Sequence, residues 1–271
     1  TAARRVAGGD INRALLVELA GGRRLFVKHR PGAPAGAFRA EADDLAWLAA
    51  APGGPRVPEV VAVGQDPVPF LALEWVAPGA PGADRDARLG RELAALHRAG
   101  APRPGRDGDN WIGSLPQPNA PCADWPEFFA ERRLRPLVAR TVAEGRLPAA
   151  ARSAAERLTA RLGDLCGPPE PPARLHGDLW GGNAMTGPDG APVLVDPAAY
   201  GGHREVDLAM MRLFGGFPPA VFAAYDEAFP LAAGHEDRVA LYQLYPLVVH
   251  VALFGGGYAD RFMAALRRYA G

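Results

Sequence analysis

Lysine is almost missing from this chain. Of 30 lysines and arginines only Lys28 is a lysine, and alanine, glycine, proline and arginine are all abundant. Against such a bias, a lone lysine marks a place where a planar guanidinium fork does not replace a compact ammonium. The alternative is chance survival on a solvated strand face. Cysteine is equally scarce: Cys122 and Cys166 are the only two. They are too few for a disulfide framework and have no metal-ligand spacing, so a reducing, cytoplasmic setting is expected. Charge of one sign is lacking too. Acidic and basic residues number 30 each, and no long like-charge block stands out. Neither a nucleic-acid partner nor a membrane-surface partner is expected. The most apolar run, Val239 to Phe254, contains Gln243, Pro246 and His250 and falls short of the ~20 residues that span a bilayer. It reads as a buried helix kinked at Pro246. No signal-peptide pattern is visible, although a chain that opens at Thr1 rather than Met is consistent with trimming. No internal repeat is found.

At 271 residues the chain is long enough for one or two domains. Residues 1–30 read as a hairpin region: a glycine turn at Gly8-Gly9, a strand over Ala14–Ala20, the Gly21-Gly22 turn, and a strand ending in Phe26-Val27-Lys28. A glycine turn lets backbone amides approach phosphates, but this one lacks the full G-x-G-x-x-G spacing. Phe38, Ala42, Leu45 and Leu48 mark one face of a helix from about Phe38 to Ala49. Glu41 lies at the edge of that face, within reach of Lys28; otherwise Glu41, Asp43 and Asp44 form an ordinary solvated face. Strands follow over Pro55–Gly64 and Phe70–Val76. The Pro/Gly-rich stretch 77–82 then reads as a linker. The organisation expected is an N-terminal nucleotide-binding lobe (1–76), a hinge (77–82) and a C-terminal lobe (83–271), with Glu74, Trp75 and Val76 facing a ligand at the junction.

The second lobe reads as mainly helical. One helix follows Asp84, another starts at Asp124 and bends near Pro136, and a third runs from about Pro148 to Leu165. Later helices cover Glu205–Phe214, Pro219–Phe229, Glu236–Phe254 and Tyr258–Tyr269. The stripe of Tyr258, Phe262, Leu266 and Tyr269 is assigned to core. A polar loop with one tryptophan, Asp109-Asn110-Trp111, has no evident packing need, and loops of that kind often carry specificity.

Residues 176–207 hold the densest chemistry. Asp178 is followed five residues later by Asn183, and Asp196 ends the short strand Val193–Val195. An Asp-x-x-x-x-Asn with a downstream aspartate suits phosphoryl transfer. Asn183 and Asp196 hold Mg²⁺ against nucleotide phosphates while Asp178 meets an acceptor hydroxyl. Singly, each residue also fits a turn: Asp178 after a glycine, or Asn183 in a left-handed position. Asp207 reads either as a charge at a helix N-terminus or as a tie to the backbone amides of the 176–183 loop.

With those residues in view, the chain resembles the fructosamine-3-kinase family, of the protein-kinase-like fold. The resemblance covers nearly the whole chain. It rests on GGDIN (8–12), FVK (26–28), LALEWV (71–76), DNWIGSLPQPN (109–119), HGDLWGGN (176–183), DPAAYGGHREVDLAM (196–210), LFGGF (213–217) and LYQLYPL (241–247). Aminoglycoside and choline kinases share HGD and the second aspartate, but not the DNWIGS loop. The resemblance implies an α+β, two-lobed fold, with a small antiparallel sheet lobe carrying one helix and a larger helical lobe. It implies ATP and Mg²⁺ as cofactors, with Gly8 and Gly9 over the phosphates, Lys28 and Glu41 as the phosphate-binding ion pair, and Glu74 to Val76 as the adenine hinge. Asp178 matches the catalytic base, and Asn183 and Asp196 the metal ligands. Asp109, Asn110, Trp111 and Trp180 lie toward the sugar. The implied reaction phosphorylates the 3-hydroxyl of a ketosamine, free or on a glycated amine such as a protein lysine, and the product then falls apart to free the amine. Some relatives carry a cysteine in the glycine loop that can link subunits; Asp10 stands in that region here, so no disulfide-linked dimer is expected. Pro197 and Ala198 follow Asp196 in place of Phe-Gly, so no kinase-style phenylalanine flip is expected.

An aspartate with an ordinary pKa of ~3.9 does not strip a proton from an alcohol in the ground state. The implied role of Asp178 is therefore positioning and late proton acceptance, with Mg²⁺ and Lys28 neutralising charge. Two rival readings stand at this point. A metal-dependent phosphohydrolase would draw His176, Asp178, Asp196, His203 and Asp207 into a two-metal cluster, and a pseudokinase would bind nucleotide without transfer. Kinases for other hydroxylated small molecules also remain open.

Overall fold

The computed structural model describes residues 2–6 and 12–269; the glycine turn at Gly8-Gly9, and Asp10 with it, lie outside them. The chain begins with strands β1 (Ala2–Arg5), β2 (Arg13–Glu18) and β3 (Arg24–His29), helix α1 (Ala37–Ala49), and strands β4 (Val60–Gly64) and β5 (Phe70–Glu74). The strands form one antiparallel sheet in the order β1-β2-β3-β5-β4. Side chains alternate between the two faces of a strand. Because Phe26 pairs with Leu73 and Lys28 with Leu71, these four residues project to one face. Helix α1 covers it with Phe38, Ala42 and Leu45, all buried with Leu71 and Leu73. Lys28 thus points toward α1 from an otherwise apolar face.

The expected strand at Pro55–Gly64 begins only at Val60, since Pro55 and Pro58 interrupt its ladder. The 77–82 segment runs along the second lobe. The Gly79 N–H donates to the Thr186 carbonyl (3.0 Å) and the Gly82 N–H to the Gly190 carbonyl (3.1 Å).

The second lobe opens with helix α2 (Arg85–Ala99) and a hairpin of β6 (Asn110–Ile112) and β7 (Leu115–Gln117). Helix α3 (Trp125–Phe128) widens into a π-helical turn over Phe129–Leu134 before α4 (Arg135–Ala143), so the bend expected near Pro136 is a wide turn just ahead of it. Asp124 caps α3 by accepting from the Glu127 N–H (2.9 Å), and Glu127 reaches back to the Ala123 N–H (3.0 Å). The helix expected over Pro148–Leu165 is two, α5 (Ala150–Thr159) and α6 (Leu162–Leu165). Next come β8 (Ala173–Leu175), β9 (Ala184–Thr186), β10 (Pro192–Leu194) and β11 (Tyr200–Gly202), then α7 (Glu205–Phe214), α8 (Pro219–Ala228), α9 (His235–Tyr242), α10 (Leu244–Phe254) and α11 (Tyr258–Tyr269). The long apolar run breaks at Gln243 rather than Pro246. The proline falls in the first turn of α10, where its missing N–H costs no helical bond. Its buried face joins Phe262 and Leu266 of α11 in the main core. No helix among the described residues is long and apolar enough to cross a membrane.

Candidate active site

Two short antiparallel pairings place the chemical residues. β8 pairs with β11, and β9 with β10. Asp178 follows β8, Asn183 directly precedes β9, and Asp196 lies between β10 and β11. The crossing backbones are laced together. Val195 N–H donates to the Asn183 carbonyl (3.0 Å) and Ala198 N–H to the His176 carbonyl (3.0 Å). Gly177 has φ 83°, and a Cβ there would lie 2.0 Å from the Ala198 carbonyl oxygen. Only glycine fits both the conformation and the approach.

Asp207 on α7 ties this loop down. It is fully buried and accepts from the backbone N–H of His176 (2.7 Å) and of Gly177 (2.9 Å), with His97 Nε2 at 3.2 Å. Burial pushes its pKa up, but the His97 hydrogen bond and charge and the Gly177 N–H outweigh this and hold it below the usual carboxylate value. Of the two readings left open by the sequence, the tie to the loop amides is the one the structure adopts. His176 is buried and held neutral chiefly by that burial. Its Nδ1 accepts the Asp178 N–H (3.3 Å), so Nε2 carries the proton that goes to the Val195 carbonyl (3.0 Å).

The phosphohydrolase cluster does not form. Both Asp207 oxygens are taken by loop amides and His97. His203 stacks on Tyr242 with ring centroids 5.1 Å apart. Among the described residues no group of three His, Cys, Asp or Glu is placed to hold a metal ion.

The residues of the kinase reading do come together. The buried Lys28 ammonium donates to Glu41 Oε1 at 2.6 Å and to Asp196 Oδ1. Burial pulls its pKa down, but the charges of Glu41 and Asp196 more than offset this and raise it above lysine's ordinary value. Glu41 therefore leaves the solvated face and is the ion-pair partner. Asn183 Nδ2 donates to the Asp178 carbonyl oxygen (2.8 Å) and sits 3.3 Å from the Asp178 carboxylate. Asp178 is half-buried, and burial followed by the Asp196 charge pushes it up to about 7. The ordinary value assumed from sequence gives way to one in the range of a general base near neutral pH. Among the described residues Asp196 is the one non-glycine with positive φ, 55°. The left-handed position assigned as an alternative to Asn183 belongs to Asp196, and such backbone strain clusters at ligand sites.

The donor set suits a hard divalent cation. It comprises the Asp196 carboxylate, the Asn183 amide oxygen, to which nothing among the described residues donates, and the Asp178 carboxylate nearby. The Lys28 ammonium on Asp196 already brings a positive charge to that carboxylate.

At the junction, Glu74 accepts from Arg56 (2.8 Å), the Trp75 ring lies 6.4 Å from Phe26, and Val76 is buried. No hydrogen bond engages the Val76 N–H among the described residues. Trp180 is 44% exposed, two residues from Asp178. Its ring lies over Gly182, where a Cβ would meet it at 2.2 Å.

The 109–111 loop departs from expectation. Asn110 is buried and every hydrogen-bonding position of its side chain is used. It donates to Asp44 (2.8 Å) and to the Ala199 carbonyl (3.0 Å), and accepts from Gln117 (2.7 Å) and Asn119 (2.8 Å). Those bonds make it part of the scaffold of this loop, and it also lines a cleft with Asp109 and Trp111. Asp109 is exposed and accepts the Asn119 N–H (2.8 Å). Asp109 and the half-buried Trp111 line that cleft, of about 250 Å³, against Gly36, Arg39 and Asp43, and neither Asp178 nor Trp180 lines it.

Sequence reasoning missed Asp44 and His97. Asp44 is 1% exposed. It accepts from Arg106, from Asn110 (2.8 Å) and from the Ala199 N–H (3.0 Å). Burial pushes it up to about 7 against the Arg106 charge and those hydrogen bonds. Its position one residue before Leu45 in the apolar stripe was the available signal.

Comparison with known proteins identifies the family. The fructosamine kinase family profile matches residues 1–270. A probable ketoamine kinase of Synechocystis sp. is 40% identical over 270 residues, covering 98% of this chain and 89% of that protein. One of Thermus thermophilus is 38% identical over 264 residues, covering 96% and 90%. A solved structure from Thermobifida fusca, provisionally designated a fructosamine-3-kinase, superposes with a TM-score of 0.90 at 44% identity, covering 98% and 92%. An aminoglycoside phosphotransferase solved with ADP and hygromycin B aligns with a TM-score of 0.62 at 18% identity, covering 100% and 95%, a likeness of fold alone. The chain therefore belongs to the fructosamine kinase family, with a protein-kinase-like fold.

Proposed function

We propose that this protein transfers the γ-phosphoryl group of ATP to the 3-hydroxyl of a ketosamine. The observation that carries the reading is the meeting of Lys28, Glu41 and Asp196 beside Asp178 and Asn183. The family match and ketoamine-kinase relatives support it.

ATP would be held between the lobes, with Glu74–Val76 toward the adenine and the Val76 N–H, unengaged among the described residues, available to it. Lys28, held by Glu41, neutralises the phosphates. Asn183 and Asp196 would hold Mg²⁺, which would supply charge withdrawal from the phosphoryl oxygens. Asp178 orients the acceptor hydroxyl and takes its proton as the oxygen bonds to phosphorus and the bond to ADP breaks. Trp180, exposed beside Asp178, offers a flat apolar face to the C–H surface of the sugar.

The test is Mg²⁺- and ATP-dependent ADP release with fructose- and ribulose-amine acceptors, comparing wild type with Asp178→Asn. Phosphorylated ketosamine from wild type alone is the expected result. Transfer only to aminoglycoside- or choline-type acceptors would replace the substrate, and nucleotide binding without transfer to any acceptor would overturn the reading.

A further inference from the structure

Helix α1 is anchored in different ways along its length; near its C-terminus Leu48 packs with Leu89 and Leu93 and the Trp47 carbonyl accepts from Arg174 (2.6 Å). The apolar face of the helix rests on the sheet through Phe38, Ala42 and Leu45. Apolar contact is not directional, so it limits distance far better than rotation about the helix axis or sliding along it. The anchor at Asp44 is directional. Asp44 leaves α1 on the side of the second lobe and accepts from Arg106, from Asn110 (2.8 Å) and from the Ala199 backbone N–H (3.0 Å). Asn110 also donates to the Ala199 carbonyl (3.0 Å), so both polar groups of Ala199 belong to this cluster.

Two spacings make the cluster more than local. Glu41 lies three residues before Asp44 on the same helix, so both share a side of α1 and a rotation that moves one moves the other. Ala199 lies three residues after Asp196, whose left-handed backbone turns the chain at that point. The loop is held independently by the Val195 N–H on the Asn183 carbonyl and the Ala198 N–H on the His176 carbonyl; Asp44 is the buried carboxylate, three residues from Glu41, that registers the helix against it.

We propose that Asp44 is a positioning residue for nucleotide binding: it locks α1 to the 196–199 loop, so that Glu41 and Asp196 meet Lys28 together. This rests on the kinase reading above. Asp44 touches neither Lys28 nor Asp196 and acts through Glu41. Asp43, next along the helix, faces outward and pairs with Arg39 (3.0 Å). It is the control position.

The test is a double-mutant cycle read by calorimetric MgATP affinity, which needs no acceptor. Asp44→Asn weakens MgATP by roughly tenfold, within the range usual for coupled sites. Glu41→Gln weakens it comparably, and the double variant is no weaker than Glu41→Gln alone, because Asp44 acts through the residue already removed. Asp43→Asn leaves the affinity unchanged. Losses that multiply, or an Asp44→Asn protein that is less stable yet binds MgATP as wild type does, would overturn the proposal. If Asp44→Asn does not fold, Arg106→Gln in the same cycle gives the same readout with a smaller loss. Wild type that binds MgATP but transfers to no ketosamine overturns the substrate reading and leaves the cycle decisive. Wild type without MgATP binding overturns both.

Discussion

Replacing Lys28 with arginine asks whether shape or charge is required at that position. Lys28 is 6% exposed, and its ammonium sits between Glu41 Oε1, at 2.6 Å, and Asp196 Oδ1. Lys28→Arg keeps the charge, so the attraction to both carboxylates largely survives. The planar fork is wider than the ammonium, and forcing extra bulk into closed packing costs about 1–3 kcal/mol. It also displaces the cationic centre by about 1 Å, an error that can cost ~10²-fold in a preorganised site. The expected outcome is a roughly 100-fold fall in kcat/KM for MgATP, or about 2.7 kcal/mol of transition-state stabilisation. Lys28→Met serves as the comparison. Removing one partner of a fully buried pair costs about 3–5 kcal/mol. The Asp196 side chain is 41% exposed, so water takes over part of its solvation and about 2 kcal/mol is expected here. Its catalytic loss is roughly 10²–10³-fold. Coupled ADP release and urea unfolding on the same preparations measure both quantities. If Lys28→Arg keeps kcat/KM within threefold and unfolds like wild type, the scarcity of lysine is compositional accident and the geometric reasoning fails.

Asp207→Asn leaves one acceptor oxygen for two backbone N–H groups, and its new amide faces a donor. The lost charged hydrogen bond and an orphaned N–H together cost about 3 kcal/mol at neutral pH. Because the folded pKa of Asp207 is lowered, its contribution is complete above the unfolded value of ~3.9 and fades as pH falls through the still lower folded value. The gap between wild type and variant in urea unfolding should therefore be widest near pH 7 and narrow below about pH 4; a pH-independent gap would count against the role. Gly177→Ala meets both a φ of 83° and a 2.0 Å contact with the Ala198 carbonyl. Because both partners are backbone, no rotamer relieves it. A loss of more than ~2 kcal/mol with collapse of kcat is expected, and a crystal structure with an unmoved loop and full activity would refute it.

The site was legible where chemistry and spacing were both unusual. Lys28 stood out from a background of arginine, and Asp178, Asn183 and Asp196 stood at a spacing that phosphoryl transfer uses. Glu41 was legible only conditionally, through Lys28. Asp44 was not, although it stands three residues further on. Periodicity reports which face is apolar, and a charge in the stripe reads as noise until its partners are known. Those partners are Arg106, Asn110 and Ala199, brought to it by the tertiary fold. The same blindness hid the partners of Asn110. A polar loop without local need looks functional, but its need was met by long-range hydrogen bonds. Helix existence was well read and helix breaks were not, since the interruptions at Gln243 and after Thr159 carry no glycine or proline at the break.

The 77–82 segment shows the converse error, in which a local signal was real but its cause was different. Proline and glycine there suggest a flexible linker. In the fold, Gly79 packs so closely that a Cβ would lie 2.0 Å from the Gly187 carbonyl oxygen, and the amides of Gly79 and Gly82 are bonded to the β9–β10 hairpin. The glycine at 79 serves approach rather than freedom. That hairpin is flanked by Asn183 and Asp196, so the strap and the two residues proposed to hold Mg²⁺ belong to one body. Any opening of the cleft must then bend at residues 74–78 and strain the polar ties between the lobes, namely the Asp44 cluster, Lys28 on Asp196, Arg174 on the Trp47 carbonyl (2.6 Å) and the Leu194 N–H on the Arg56 carbonyl (2.8 Å). Loss of the Asp44 tie should loosen the Glu41 end of α1 while Arg174 on the Trp47 carbonyl still holds its C-terminal end and Asp196 stays with the strap, and the distance that opens first is the one between Glu41 and Asp196, across Lys28.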